Sequence, residues 1–580
     1  PPPVVPPGLG FGGEAEAAAA AAMAAAAAPA GSLSVSSVLS LNSNRRHNIA
    51  YVEDDVVVTS AGSKLVLLNV STMAQRYVPS LDGGGIGAFA VHPGRKFLAV
   101  AEKCRHRAPN VYVYAYPSLE LVKVMRDGTE RAYSALAFNE KGDKLASVGG
   151  SPDYLLTLWD WQQEAIVLRS KAFSQDVYTV KFSPFFEGML TTSGTGHIRF
   201  WKMAETFTGL KLQGALGKFG AVELSDVEAF VEMPDGKVLS STETGEMILW
   251  DGGLIKVLLR RTGGKPCHDG AINVMHHDKS TNCIVSGGDD GFVRLWSFSS
   301  VNDAEADEDA HHTCITPLDE LHVGPGVKVR SLLWERRHWL VQDGSGGLWR
   351  VGLPDGGGSI SRGASPARLL AHHAGGIVGL AASPTCGSVV TAGADGTVRV
   401  YDAATAALVS SMAFAGEATC MATLSAAAAA LAVGFADGVV RLVRRCSGGD
   451  GGGNGSAVLT AAAKPHKGRV TCLAVSPDGT QLATAGADGT VFFFAAPGGG
   501  ALADSGQLAP LAWAAVPSAA TCIAWTCDGA CVVVGTSVSA LHEVRCPAPG
   551  EVDTSRTFQA HGLLARSLPL VLPKPPKAPR

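Results

Sequence analysis

Three cysteines near the C-terminal end, Cys522, Cys527 and Cys531, are separated by four and then three residues, close enough to suggest a metal site. A structural zinc site usually draws four N/S ligands from two close pairs. Neither a C-x-x-C nor a second pair accompanies these three, and Cys522 and Cys531 fall in strand-like runs, so they read as small core side chains. The adjacent pairs His276-His277, His311-His312 and His372-His373 make poor bidentate ligands, because neighbouring strand residues face opposite sides; loop histidines are expected. Gly85-Ile-Gly-Ala-Phe-Ala90 fits G-x-G-x-x-A, but a strand-like run follows where a dinucleotide site needs a helix N-terminus. No phosphate-binding G-x-x-x-x-G-K-[ST], G-x-S-x-G elbow or H-E-x-x-H occurs in the chain. The acid pairs Asp54-Asp55 and Asp289-Asp290 sit in turns, where carboxylates accept from backbone amides. No catalytic group, cofactor or metal is expected.

A second set of polar residues recurs at fixed spacing. His268, His373 and His466 each stand four residues before a β-branched residue that opens a strand, Ile272, Ile377 and Val470. Asp290, Asp395 and Asp488 each stand six residues before an aromatic, Trp296, Tyr401 and Phe494. The octet Thr-Ala-Gly-Ala-Asp-Gly-Thr-Val is repeated verbatim at 391–398 and 484–491. A buried turn aspartate can accept from backbone N–H groups and from a histidine whose other nitrogen reaches a strand hydroxyl. His268, Ser286, Asp290 and Trp296, then His373, Thr391, Asp395 and Tyr401, then His466, Thr484 and Asp488, are therefore expected to be one structural network repeated in successive units.

The elements that position these residues are short alternating strands broken by Gly, Asp, Asn or Pro. Examples are Tyr133–Phe138, Lys144–Val148 and Leu155–Trp159, followed by Val177–Phe182, Met189–Thr192 and His197–Trp201. The third strand of successive groups ends in Trp159, Trp201, Trp250, Trp296, Trp349 and Tyr401, the period of a four-stranded WD-type blade. Eleven units start near Asn48, Ile86, Tyr133, Val177, Val227, Ala271, Val329, Ile377, Ala418, Val470 and Thr521. The fold class is all-β, with tandem WD40-type β-propellers. Seven units over 45–370 are expected to close a first ring, which removes exposed sheet edges. Four over 371–564 form a second that is incomplete in this chain. Residues 1–44, rich in Pro, Ala, Gly and Ser, read as a disordered arm. Residues 565–580 read as a Pro/Lys-rich tail, and the Gly-rich stretches Ser447–Ser456 and Pro497–Gly500 as flexible loops.

Composition agrees with this class. Of 580 residues, 46% are hydrophobic and 17% charged, against about 25% charged in ordinary domains; a wholly disordered chain is excluded. With 48 basic and 52 acidic residues the net charge is -4, which gives no global attraction to nucleic acid or an anionic membrane. The run Ala17–Ala28 is too weakly apolar to read as a span, and no nucleic-acid or membrane partner is expected. Twelve cysteines are too few for a disulfide scaffold. No secretory signal is visible, although the chain opens on Pro1 rather than Met, and an intracellular, reduced location is expected.

Several segments are more specific than the repeat. Gly83–Pro93, Ala146–Tyr154, Thr206–Gly214, Met247–Lys256 and Cys267-His-Asp-Gly270 together resemble the N-terminal propellers of the cilia- and flagella-associated protein 44 family, densely over about 47–353. The resemblance implies a non-enzymatic scaffold of the axoneme, in the tether/tether-head assembly that holds inner-arm dynein motor heads to the doublet microtubule. It implies inner-arm dynein heavy chains, a paralogous WD-repeat protein and doublet-microtubule tubulin as partners, and a location in the cilium or flagellum. Arg45-Arg46-His47, Arg260-Arg261 and Lys574, Lys577 and Arg580 are the basic clusters available for an acidic surface. The acidic loop Asp303, Glu305, Asp307, Glu308 and Asp309 should face away from an acidic lattice or toward a basic partner. Three alternatives stay open: a direct microtubule binder of the echinoderm-microtubule-associated-like type, a generic WD-repeat assembly platform, and an enzyme using the propeller funnel.

Overall fold

The strands begin where β-branched and aromatic residues alternate with small ones, and many stop at a turn whose glycine or asparagine takes a positive φ, as at Gly142, Gly291 and Asn282. A computed structural model describes residues 35, 37–207, 209–220, 222–306, 311–334, 338–353, 359–383, 387–425, 430–445, 456–496, 501–546 and 562–568. Residues 1–38 cluster as one unit and Leu39–Arg580 as another; every described strand belongs to the second. The chain is a β-propeller protein. Its described strands form eleven mainly antiparallel sheets, seven of them made of four consecutive strands.

Along most of the chain the first strand of one sheet packs on that of the next. Ile49–Glu53 meets Ile86–Val91, which meets Tyr133–Phe138, which meets Val177–Phe182. Phe230–Glu232 meets Ile272–Asp278, which meets Val329–Trp334, and that strand returns to Ile49–Glu53. At this seam Leu340 and Leu348 of the seventh sheet share a buried cluster with Ile49, Val57 and Leu68 of the first. A second series runs through Ile377–Ser383, Ala418–Thr423, Val470–Val475 and Ala520–Trp525. Between sheets the faces are dry: Val58 and Leu65 of the first sheet join Leu98 and Val100 of the second, the burial that drives such stacking.

Trp159, Trp201, Trp250 and Trp296 are all at most 1% exposed. Each indole N–H donates to a hydroxyl on the second strand of its own sheet, Ser147 (2.8 Å), Thr192 (2.9 Å), Ser240 (2.8 Å) and Ser286 (2.8 Å). The recurring aromatic is thus a core plug with its polar edge satisfied. In Trp349 the indole instead donates to Asp343 Oδ2 at 2.6 Å.

Several expectations need correction. The arm extending to residue 44 ends earlier: Leu41 and Ser43 are 3% and 1% exposed, and Ser43 Oγ donates to Ala374 O at 3.2 Å. The segment is polar in composition, yet its backbone carbonyls have donors waiting in the ring. The fifth sheet opens at Phe230 rather than near Val227, and its first strand has only three residues. The tail does not begin at 565, because Ala565–Leu568 supplies the fourth strand of the last sheet, paired with Leu541–Val544. Two sheets also gain a fifth, parallel strand. His312–Ile315 joins Leu254–Arg261, and Gly562–Leu563 joins Trp513–Ala514. In both cases the chain crosses to the preceding sheet before adding the last strand of its own, which covers an outer edge. The Ala17–Ala28 run, the loops 447–455 and 497–500, Asp307–Asp309, Lys574, Lys577 and Arg580 lie outside the described residues. Among the described residues no helix is long and apolar enough to cross a membrane.

Candidate functional site: repeated polar networks and a basic segment

In the sixth sheet His268 is fully buried. Its Nδ1 lies 2.9 Å from Asp290 Oδ1 and its Nε2 lies 2.7 Å from Ser286 Oγ, the same hydroxyl that accepts from Trp296. Asp290 Oδ2 accepts from the Asp269 amide at 3.1 Å. The eighth sheet repeats this with His373 at 2.9 Å from Asp395 and 2.7 Å from Thr391. The tenth repeats it with His466 at 3.2 Å from Asp488 and 2.9 Å from Thr484. Tyr401 departs from the tryptophan pattern: its hydroxyl donates to Ala371 O at 2.7 Å, because the longer phenol reaches past Thr391 to the backbone. Burial alone would raise the Asp290 carboxyl, but bonds to His268 and Arg294 hold it well below the usual carboxylate range. Burial lowers His268 and His466, against the pull of their aspartates. The His268 and His466 units therefore hold a neutral imidazole beside an ionised carboxylate, with both ring nitrogens engaged inside the sheet.

A buried arginine, not expected from the spacing of His268 and Asp290, completes the network. Arg294 is 2% exposed and donates to Asp290 Oδ2 at 2.7 Å and Glu320 Oε2 at 2.9 Å. Asp395 and Arg399 (3.4 Å) and Asp437 and Arg441 (3.5 Å) repeat the pair. The signal was present as Asp-Gly-x-Val-Arg at 290, 395 and 437: a tight turn places residues four apart on one hairpin face. Other residues fill the histidine's place elsewhere. Thr129 donates to Asp153 at 2.8 Å, and Asn48 bonds Thr59 (3.1 Å) and Ser60.

Arg45-Arg46-His47 is not a surface cluster. Arg45 donates to Ile86 O at 3.1 Å and to Gly87 O. Arg46 pairs with Glu228 and lies 3.8 Å over the Tyr178 ring. His47 Nε2 is 3.1 Å from Thr179 Oγ1. Burial, then the charges of Lys181, Arg46 and Arg45, push His47 down to about 3, so it is neutral. The segment touches the second, fourth and fifth sheets at once. It is held to the seventh by Gln342, fully buried, whose Nε2 donates to Asn42 O (3.2 Å), Ser43 O (3.1 Å) and Arg45 O (3.2 Å). Arg260 likewise pairs with Glu246 at 2.6 Å and Arg261 with Asp269 at 3.7 Å. Local charge runs do not reveal the partners of Arg45, Arg46 and His47, which come from distant sequence.

Cys522 and Cys527 are exposed and Cys531 half-buried, which corrects their reading as core residues. The strand Ala520–Trp525 ends the described series of sheets, and Cys522 has no next first strand to cover it. Among the described residues no group of three or more His, Cys, Asp or Glu is placed to hold a metal ion. His276 and His277 lie in the strand Ile272–Asp278, not in a loop; His312 lies in the added parallel strand. His372 and His373 are buried at a turn between sheets.

Residues 84–320 match the family model described as the echinoderm microtubule-associated protein first beta-propeller. Residues 364–402 and 458–494 match the WD domain, G-beta repeat. The chain is 50% identical over 566 residues to cilia- and flagella-associated protein 44 of Chlamydomonas reinhardtii, covering 93% of this chain and 32% of that protein. The mouse protein of that name is 40% identical over 80% of this chain and 26% of its own length. The Trypanosoma brucei brucei protein of that name is 33% identical over 90% of this chain and 30% of its own. The chain spans about a third of the length of these curated relatives.

Proposed function

From a chain that belongs to the cilia- and flagella-associated protein 44 family, we propose a non-enzymatic scaffold of the axoneme that helps tether inner-arm dynein motor heads to the doublet microtubule. The observation that carries this reading is the identity of 50% across 93% of the chain with a protein named for cilia and flagella. The physical support is rigidity. The histidines of the His268, His373 and His466 networks bond inside their own sheets, which supports an architectural role for them. The return of Val329–Trp334 to Ile49–Glu53 supports reading the first seven sheets, residues 45–370, as one closed propeller, with 371–564 as blades of a second. A stiff body suits an anchor, since force between motor and microtubule is not lost in its deformation. The partners under this reading are inner-arm dynein heavy chains, a paralogous WD-repeat protein and tubulin.

The test is deletion of residues 47–370 from the full-length gene product in motile cilia. Detachment of the inner-arm dynein head tether in tomograms, with an abnormal waveform, is expected; a normal waveform with the tether in place refutes the reading. A second reading has its own support in the match of 84–320 to an echinoderm microtubule-associated propeller: direct binding to the lattice. Co-sedimentation of the purified chain with bare microtubules at physiological salt separates the two: under the first reading tubulin is held only in company with the other axonemal partners and the isolated chain stays in the supernatant, whereas the second expects it in the pellet.

A further inference from the structure

The junction between the fourth and fifth sheets holds a cleft of about 390 Å³, in the size range of roughly 300–1,000 Å³ that suits small-group recognition. It stays open for reasons readable in the residues. The first strand of the fifth sheet has three residues, and the rim carries Gly236 and Gly253, at φ +91° and +86°, which send no side chain inward. The walls are aromatic, Phe186 (39% exposed) and Phe200, with Trp250 6.2 Å from Phe200.

One carboxylate, Glu232, lines this cleft. Its Oε1 accepts from Thr191 Oγ1 at 2.7 Å, which fixes the group, and it forms no ion pair among the described residues. Lys181 is the cation on its far side, but that amine donates to Phe230 O at 3.1 Å and lies 5.1 Å from the Phe230 ring centroid. Lys202 stands at the mouth with its chain in solvent, where water and salt screen it.

A fixed carboxylate among aromatic faces complements a flat cation. Guanidinium stacks on rings and forks onto a carboxylate, whereas an ammonium is a strongly hydrated point charge. We propose that the cleft between the fourth and fifth sheets is a docking site for an arginine side chain presented by a partner protein, with Glu232 receiving the guanidinium and Phe186 and Phe200 flanking it. This deepens the scaffold reading by giving one contact its chemistry, and it rests on that reading only in taking a protein as the occupant.

The experiment is selection of random peptides of about 12 residues, displayed on phage, against the purified chain, followed by titration of the enriched peptide. Arginine fixed at one position is expected. Replacing that arginine by citrulline, which keeps the shape and removes the charge, weakens binding about tenfold or more. Glu232→Gln, which still accepts from Thr191, produces a similar loss, and Ala215→Trp at the exposed mouth abolishes binding, with circular dichroism unchanged in both. No enrichment, enrichment without arginine, indifference to citrulline, or full binding by folded Glu232→Gln each overturns the proposal. A chain absent from cilia that still binds the arginine peptide in this way overturns the axonemal reading and leaves the docking site standing.

Discussion

Replacing Gln342 tests how the first and seventh sheets are joined. No strand is shared between those two sheets among the described residues, so the seam depends on packing, on the Tyr51 hydroxyl 3.1 Å from His338 Nε2, and on this amide. In Gln342→Leu the Asn42 carbonyl keeps its bonds from the Asn48 side chain (3.1 Å) and the Arg45 amide (3.2 Å). The Ser43 and Arg45 carbonyls lose the donor at 3.1 and 3.2 Å. Two under-satisfied carbonyls cost about 1–3 kcal/mol each, and removing the buried Gln342 Oε1, which has no partner, recovers about 1 kcal/mol. Taken near the low end of that range, about 1.5 kcal/mol per carbonyl, the net is a loss of about 2 kcal/mol, or roughly a thirtyfold fall in protection at the seam. Gln342→Glu is expected to be worse, since a carboxylate would face those carbonyls with no proton to give. Hydrogen exchange read by mass spectrometry on peptides covering 49–61 and 338–352 detects the opening, with 144–160 in the third sheet as control. Equal loss in all three peptides, or a Glu variant better protected than the Leu variant, refutes the reasoning.

Other outcomes follow from the same contacts. Arg294→Met strands Asp290 beside a neutral histidine and is expected to destabilise by about 3 kcal/mol, the low end for breaking a buried pair because Glu320 is half in solvent; Arg294→Lys should not restore it, since one ammonium cannot span Asp290 and Glu320. Urea unfolding checks both variants. His47, held down to about 3, stays neutral when folded but takes a proton near pH 6.5 when unfolded. Its contribution is whole above about pH 6.5 and lost as pH falls below it, by about 2 kcal/mol at pH 5. His268 and His466, lowered in the same direction, add to the loss, and Asp290 and Asp395 add theirs only below about pH 4. His47→Gln should flatten the acid limb of exchange protection over 177–182. Maleimide should label the exposed Cys314, Cys522 and Cys527 first in the native chain and Cys267 last, its buried thiol being pushed up to about 12.

Sequence alone determined what local periodicity encodes. Strand alternation, the aromatic ending each third strand, and the fixed offsets of His268, Asp290 and Ser286 are short-range patterns, because a four-stranded sheet folds from consecutive residues. The tryptophan–hydroxyl bonds and the Asp-Gly-x-Val-Arg pairs are equally local and could have been read in the same way. Tertiary structure decided everything that joins residues from different sheets. Composition marked Leu41–Arg46 as arm and basic cluster, yet Gln342, Gly87 and Glu228 hold it, contacts between 42 and 300 positions away. The parallel strands at His312–Ile315 and Gly562–Leu563 look like loop in sequence and become strand only because a neighbouring edge is open. Glu232 is one carboxylate among many until a three-residue strand and two rim glycines leave a cleft in front of it. Spacing along a chain reports what neighbours can do together, while closure, burial and the pairing of charges depend on where the chain has returned.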